Sequence, residues 1–330
     1  MRTFLKIIFS LPLWLVGIVL QAWSAGAIYF CSFPEHKEWQ PKLAITYAVF
    51  IVLIWLFHRF RLKGLMISMI FYLIVLMWFH AIKPKTEAVY PDDLRMAYAE
   101  TNGDYVTLHN VRNCDYRTKD DYDVRYETRR YDLSTLETID VLVNYWGMDA
   151  IAHTFLSFGF GNDNYLCVSI EIRPEIGEQY GMLDGLFKQY EIIYIWADER
   201  DLVRLRTNYN NEDVYLYRLQ NTDLKFRQKL FLNMMNKTTD LRSEPEFYNT
   251  LVHSCTNTIF YNINDTGLYK IPVWKQRILT GNVDRRIYDE GFFDAGVPFE
   301  ELRKNALIND RAKAADKDKD FSRKIRIHLE

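Results

Sequence analysis

Three apolar segments fill the first 82 residues, and they constrain this chain more than any other feature. They run from Ile7 to Phe30, from Leu43 to Phe57 and from Leu65 to Ile82. The second extends to Phe60 if His58 and Arg59 snorkel. Each is close to the roughly 20 residues that carry an α-helix across a bilayer. Pro12 lies early in the first, where it is expected to kink the helix rather than end it. A chain that begins this way predicts a membrane anchor of three transmembrane helices (about 7–30, 43–60 and 65–82), leaving residues 83–330 for a soluble part.

Basic residues set the expected orientation. Arg2 and Lys6 precede the first segment, and Arg59, Arg61 and Lys63 crowd the turn between the second and third. The positive-inside rule puts both in the cytoplasm and residues 83–330 on the outer side. The opposite loop, with Glu35, His36, Lys37, Glu38 and Lys42, has two lysines of its own against the five basic residues on the cytoplasmic side. Ala25-Gly26-Ala27 resembles a signal-peptide cleavage site, but the apolar run continues past it, and the segment is read as an anchor.

Charge and cysteine use narrow the function. A formal net charge of −2 over 330 residues offers no electrostatic footprint for nucleic acid. The four cysteines, Cys31, Cys114, Cys167 and Cys255, form no C-x-x-C pair and no zinc-spaced cluster with histidine. They are expected to be unbridged, and neither a metal nor a cofactor is expected. DKDKD (316–320) lacks the glycine and terminal glutamate of a calcium loop and reads as a solvated charged face.

Residues 83–100, with Pro84, Pro91, Asp92 and Asp93, read as a linker. Residues 101–280 read as one α+β catalytic domain with an antiparallel sheet and flanking helices, and 281–330 as a charged helical extension packing on it. Strands are expected at Tyr105–Val111, Tyr122–Tyr131, Asp140–Tyr145, Ile192–Trp196, Val203–Arg206 and Val214–Arg218. Helices are expected at Glu178–Tyr190, Leu224–Asn236, from near Pro245, and in the tail from Asp310.

The clearest soluble feature is a hairpin over residues 153–173. Leu166, Val168, Ile170 and Ile172 alternate with Tyr165, Cys167, Ser169, Glu171 and Arg173; Thr154, Leu156 and Phe158 alternate with His153, Phe155 and Ser157. Burying both apolar sets on one side pairs Phe155 with Ser169 and His153 with Glu171, around a loop of about five residues at Gly161-Asn162-Asp163-Asn164. A carboxylate beside an imidazole holds its tautomer and stabilises its protonated form. Ser169 is the fallback if the loop contains a bulge.

Far downstream, Ser254 is a good N-cap for a helix opening with Cys255, Thr256 and Asn257. A thiol at the first helical position is favoured as thiolate by free N–H groups and the helix dipole, and the same N–H groups suit an oxyanion. His153 and Cys255 are thus candidate base and nucleophile, with Glu171 orienting and Ser169, Ser254, Thr256 and Asn257 in support. The plainer readings are a buried structural cysteine and a strand-start histidine. His253 is a rival base, but two residues along a helix it points away from Cys255. Arg200, Asp201, Arg204 and Arg206 read as a surface ion-pair network, or as contacts to phosphate headgroups.

VTLHNVRNCDYRTKDDYDVRYETRRYDLSTL (106–136), YWGMDAIAHTFLSFGF (145–160), SIEIRPEIGEQY (169–180), ADERDLVRLRTNY (197–209), EDVYLYRL (212–219) and PEFYNTLVHSCTNTI (245–259) resemble bacterial membrane proteins carrying the Lnb N-terminal periplasmic domain. The likeness runs from the membrane segments to about residue 328. Lnb is a lipoprotein N-acyltransferase, related to permuted papain-like folds such as NlpC-type peptidases and lecithin retinol acyltransferase. The resemblance implies a permuted papain-like fold in the periplasm, on a multi-pass bacterial inner-membrane anchor, with Cys255 as nucleophile, His153 as base and Glu171 as orienting residue. The family's usual Asn-Cys-Thr-Thr is Ser254-Cys255-Thr256-Asn257 here; serine keeps the capping function. It further implies an acyltransferase that takes an acyl chain from a membrane phospholipid and passes it to an amine such as a lipoprotein N-terminus. A cysteine hydrolase using the same dyad (a phospholipase or cell-wall peptidase) and a non-catalytic membrane scaffold are the rival readings.

Overall fold

A computed structural model describes the chain except residues 1, 34–35, 60, 85–88, 148–149, 177, 179, 273–279, 295 and 330, and describes 2–10 by backbone alone. The chain divides into two units: Met1–Lys85 with Tyr180–Tyr190, and Thr86–Gln179 with Glu191–Glu330.

The first unit contains α1 (Arg2–Cys31), α2 (Gln40–Phe57) and α3 (Leu62–Ala81). Leu11–Cys31, Lys37–Phe57 and Leu62–Ala81 are each long and apolar enough to cross a membrane. α1 runs through Pro12. α2 stops at Phe57 rather than reaching residue 60, because His58 caps it and Arg59 turns into the left-handed region at φ 50°. Polar side chains tie the helices together: Gln21 Nε2 donates to the Ser68 carbonyl at 2.8 Å, and Tyr47 Oη donates to Gln21 Oε1 at 2.5 Å. In an apolar surround such bonds have few competitors.

The helix expected at 178–190 is absent from the described residues. Only the short 3-10 turn Asp184–Leu186 forms there, and Lys188 at φ 58° ends it. Phe187 instead stacks on Phe30 at 4.9 Å, and a Cβ on Gly26 would lie 2.6 Å from the Phe187 ring. Glycine at 26 is what lets that ring approach.

The second unit is an α+β domain. Its strands are β1 (Tyr98–Asn102), β2 (Tyr105–Arg112), β3 (Asp115–Tyr116), β4 (Tyr122–Asp123), β5 (Tyr126–Asp132), β6 (Leu136–Tyr145), β7 (Ala152–Phe160), β8 (Asn164–Arg173), β9 (Glu191–Ala197) and β10 (Asp213–Arg218). The main sheet has the order β1-β2-β9-β8-β7-β6-β10, with β5 also on β2. Pairing is antiparallel except for the parallel β2–β9 contact. β1 takes the last residues of the expected linker, and the expected strand 122–131 is broken into β4 and β5.

The central hairpin pairs Phe155 with Ser169 and Leu156 with Val168, the register that alternation requires. Phe160 pairs with Asn164, so the loop is three residues rather than about five, with Asn162 and Asp163 at positive φ. β7 is buried along its whole length, because helices cover both faces.

On one face, Phe231 of α5 (Leu224–Ser243) meets Phe158 and Trp196 edge-on at 5.1 and 5.3 Å. α6 (Cys255–Asp265) continues that layer. On the other face, Phe155, Leu202, Ile308 and Phe321 share a core. It is built from α4 (Glu199–Arg204) and the C-terminal helices α9 (Asn309–Ala314) and α10 (Phe321–Lys324), which follow α7 (Val283–Asp289) and α8 (Phe299–Ala306).

Residues 203–206 are therefore helical, not a strand. Asp198 caps α4 by accepting from the Arg200 N–H, and a π-turn, Leu205–Tyr209, continues it. No helix starts near Pro245, because the Asn249 side chain takes up the N–H groups of Leu251 and Val252 in a turn. Asp201 and Arg204 are buried rather than on the surface. Asp201 receives Arg112 at 3.0 and 3.1 Å and the Cys114 N–H at 2.8 Å. Arg326, from the C-terminal extension, reaches Asp140 Oδ2 at 2.7 Å and Glu199 Oε2 at 2.8 Å, all three side chains being buried.

Candidate active site

Three elements bring their residues to one end of the central sheet. β7 contributes His153 and Thr154, β8 contributes Ser169 and Glu171, and the start of α6 contributes Cys255. Sequence separations of up to 102 residues close here because β7 and β8 form one hairpin and α6 is lashed to β7. The lash is a hydrogen bond from Thr256 Oγ1 to Thr154 Oγ1 at 3.1 Å.

Ser254 adopts an extended conformation, and its Oγ accepts from the Asn257 N–H, which leaves Cys255 as the first helical residue. Asn257 is fully buried and donates to the Leu251 carbonyl at 2.9 Å, holding the preceding turn against the helix. Its role is to place the cysteine. Cys255 is 6% exposed.

The imidazole of His153 faces Cys255 and is hydrogen-bonded to β8. Nε2 lies 2.7 Å from Ser169 Oγ and 3.0 Å from Glu171 Oε1. Ser169 Oγ in turn donates to Glu171 Oε1 at 2.5 Å. Glu171 and Ser169, weighed as alternatives from the sequence, are both present in one hydrogen-bonded chain.

The electrostatics favour an ion pair. Burial pushes the Cys255 thiol up, but the facing His153 and the Thr154 N–H outweigh it and hold the thiol below its usual value. Burial pulls His153 down, but Glu171 and Cys255 raise it to about 10. Burial likewise raises Glu171, whereas His153 and Arg206 bring it well below the usual carboxylate range. A thiolate beside an imidazolium, at a helix N-terminus, is the arrangement that makes cysteine nucleophilic.

His253 stands apart from this chain, its ring packing against Tyr261 at 5.9 Å, and burial lowers its pKa. Cys31, Cys114 and Cys167 are unbridged, as is Cys255. Burial first, then the nearby Asp201, pushes Cys114 up to about 12.

Two features escaped the sequence reading. Thr154 counted there only as part of an apolar face, yet its hydroxyl accepts from Thr256 Oγ1 beside the cysteine and its N–H helps to lower the Cys255 thiol. Its side also forms part of a wholly apolar pocket whose other walls include Val141, Leu156, Leu230, Ile259 and Phe292. Arg206, read as a surface residue, is buried and donates to Glu171 Oε1 at 2.6 Å. Neither has a local sequence signal, because each acquires its neighbours only through tertiary packing.

Residues 122–279 match the family model described as the Lnb N-terminal periplasmic domain. The matched stretch holds every candidate site residue and is shorter than the likeness seen from about the membrane segments to residue 328. No curated protein and no solved structure matches the chain.

Proposed function

We propose that the chain is a membrane-anchored thiol acyltransferase that uses Cys255 as nucleophile, a reading supported by its three apolar helices and by the match of residues 122–279 to the Lnb N-terminal periplasmic domain. The reading is carried by Cys255 facing His153, whose imidazole is hydrogen-bonded to Ser169 and through it to Glu171. A membrane phospholipid is the acyl donor. The Cys255 thiolate adds to an ester carbonyl, with N–H groups at the start of α6 facing the oxyanion. Collapse breaks the ester C–O bond; His153 gives its proton to the leaving alkoxide, which departs as lysophospholipid. The acyl chain stays on sulfur as a thioester. An amine, such as a lipoprotein N-terminus, then attacks; His153 takes the amine proton and the Cys255 thiolate leaves.

The apolar pocket beside Thr154 supports an acyl chain over a cell-wall peptide, which calls for polar walls. The basic residues around α1 and the α2–α3 turn support a cytoplasmic N-terminus in the bacterial inner membrane, with the domain in the periplasm. A permuted papain-like descent fits the order His153, Glu171, Cys255. Anchoring donor, acceptor and enzyme in one membrane raises effective concentration.

Full-length protein in detergent, incubated with phospholipid and no acceptor, is expected to gain one acyl mass on Cys255, released by hydroxylamine. The Cys255→Ala variant gains none. An intact mass unchanged by phospholipid defeats the proposal.

A further inference from the structure

DKDKD reads from sequence as a solvated face, yet its first residue is half-buried and doubly bonded. Asp316 Oδ1 accepts from Arg204 Nε at 3.0 Å and from Asn208 Nδ2 at 2.8 Å. Those two partners stand two residues before and two residues after Arg206. Between them the backbone is the π-turn Leu205–Tyr209, a local widening that the α-helical ladder does not favour and that recurs at functional sites. Asn208 also donates to the Ala312 carbonyl at 3.4 Å, and Tyr209 Oη to the Tyr116 carbonyl at 2.7 Å. The turn is thus pinned at both ends by groups outside α4.

The turn aims one side chain. Arg206 lies over the Phe155 ring at 4.9 Å, donates Nη1 to the Leu202 carbonyl at 2.9 Å, and presents Nη2 to Glu171 at 2.6 Å. Glu171 faces His153 from β7, Arg206 from the π-turn, Cys255 from α6 and, at longer range, Asp93. With His153, Arg206 keeps this partly buried carboxylate ionised, and it holds the carboxylate toward the imidazole without itself exchanging a proton.

We propose that Arg206 is a positioning residue for the Cys255–His153–Glu171 chain, and that the C-terminal extension sets its aim through Asp316. The inference rests on the thiol reading above. It assigns the extension a part in the site although α9 and α10 lie on the opposite face of the sheet from α6.

The test is the pH dependence of Cys255 alkylation by iodoacetamide in the full-length protein, read by intact mass alongside a thermal melt. In Arg206→Met, Glu171 loses a neighbouring cation and takes up a proton at higher pH, so the acidic limb of the rate profile moves up by about one unit or more. Arg206→Lys keeps charge without the fork and recovers part of the shift. Asp316→Ala moves the limb in the same direction by less, whereas Asp320→Asn, in the same charged run, leaves it in place. A merely structural role lowers labelling in proportion to lost folded protein and leaves the limb where it was; that result for Arg206→Met, or an unmoved limb in Asp316→Ala, overturns the inference. A wild-type Cys255 no more reactive than an ordinary thiol overturns the underlying thiol reading instead, so the two failures are separable.

Discussion

Replacing Glu171 by glutamine keeps the side chain's shape and removes the charge that faces His153. The carboxylate oxygen lies 3.0 Å from Nε2. At an effective dielectric constant of about 20, a full charge pair at that separation is worth about 5 kcal/mol. The Glu171 side chain is 24% exposed, and the same oxygen is shared with Arg206. Solvent screening and sharing leave about 2–3 kcal/mol. That is about two decades of equilibrium constant. The signs run together. Glu171 is held ionised below the usual carboxylate range, so its support is present at neutral pH and lost only as pH falls through its folded value. His153 is raised to about 10, so the imidazolium persists below that pH and is lost as pH rises through it. The wild-type thiolate–imidazolium pair therefore spans a window that closes near pH 10. In Glu171→Gln, iodoacetamide labelling of Cys255 at about pH 6 falls about a hundredfold and recovers only toward the ordinary thiol range. Intact mass reads the label, and the buried Cys114 and Cys167 stay unlabelled because burial raises both thiols. A glutamine variant with the wild-type pH profile refutes the electrostatic account of the site.

Two further outcomes follow from packing. Ile259 is buried and lines the apolar pocket. Ile259→Trp fills the space at a cost of about 1–3 kcal/mol in stability. It raises KM for long-chain phospholipids while hydrolysis or transfer of a short-chain thioester persists; equal loss on both donors removes the pocket from the mechanism. Arg326→Met leaves the fully buried Glu199 without its guanidinium, although Arg218 still serves Asp140. Loss of one partner of a buried pair costs about 3–5 kcal/mol, which lowers the melting temperature by about 6–20 °C. A melt within about 2 °C of wild type contradicts the assignment of that cluster as a stabilising core.

Local chemistry alone determined a good part of this protein. Apolar length wrote α1, α2 and α3 into the first 82 residues. Alternation at 153–173 settled the register that puts Phe155 opposite Ser169, since a one-residue slip would turn every side chain over. Ser254 marked the start of α6, because a hydroxyl before a helical run is needed by the first N–H groups. These are short-range effects, complete within a few neighbours. Where a segment's fate depended on what covered it, the same reasoning failed. Residues 203–206 carry strand-like Val and Leu, yet became helix under the Asp198 cap and the weight of α9 and α10. Residues 178–190 have helical composition, yet Phe187 gained more by stacking on Phe30. The approach of Cys255 to His153, the apolar pocket behind Thr154, and the seating of Arg206 between Glu171 and a turn held by Asp316 were decided by tertiary structure. Each needs groups from distant parts of the chain, and a buried charge finds its partner only when the fold closes around it.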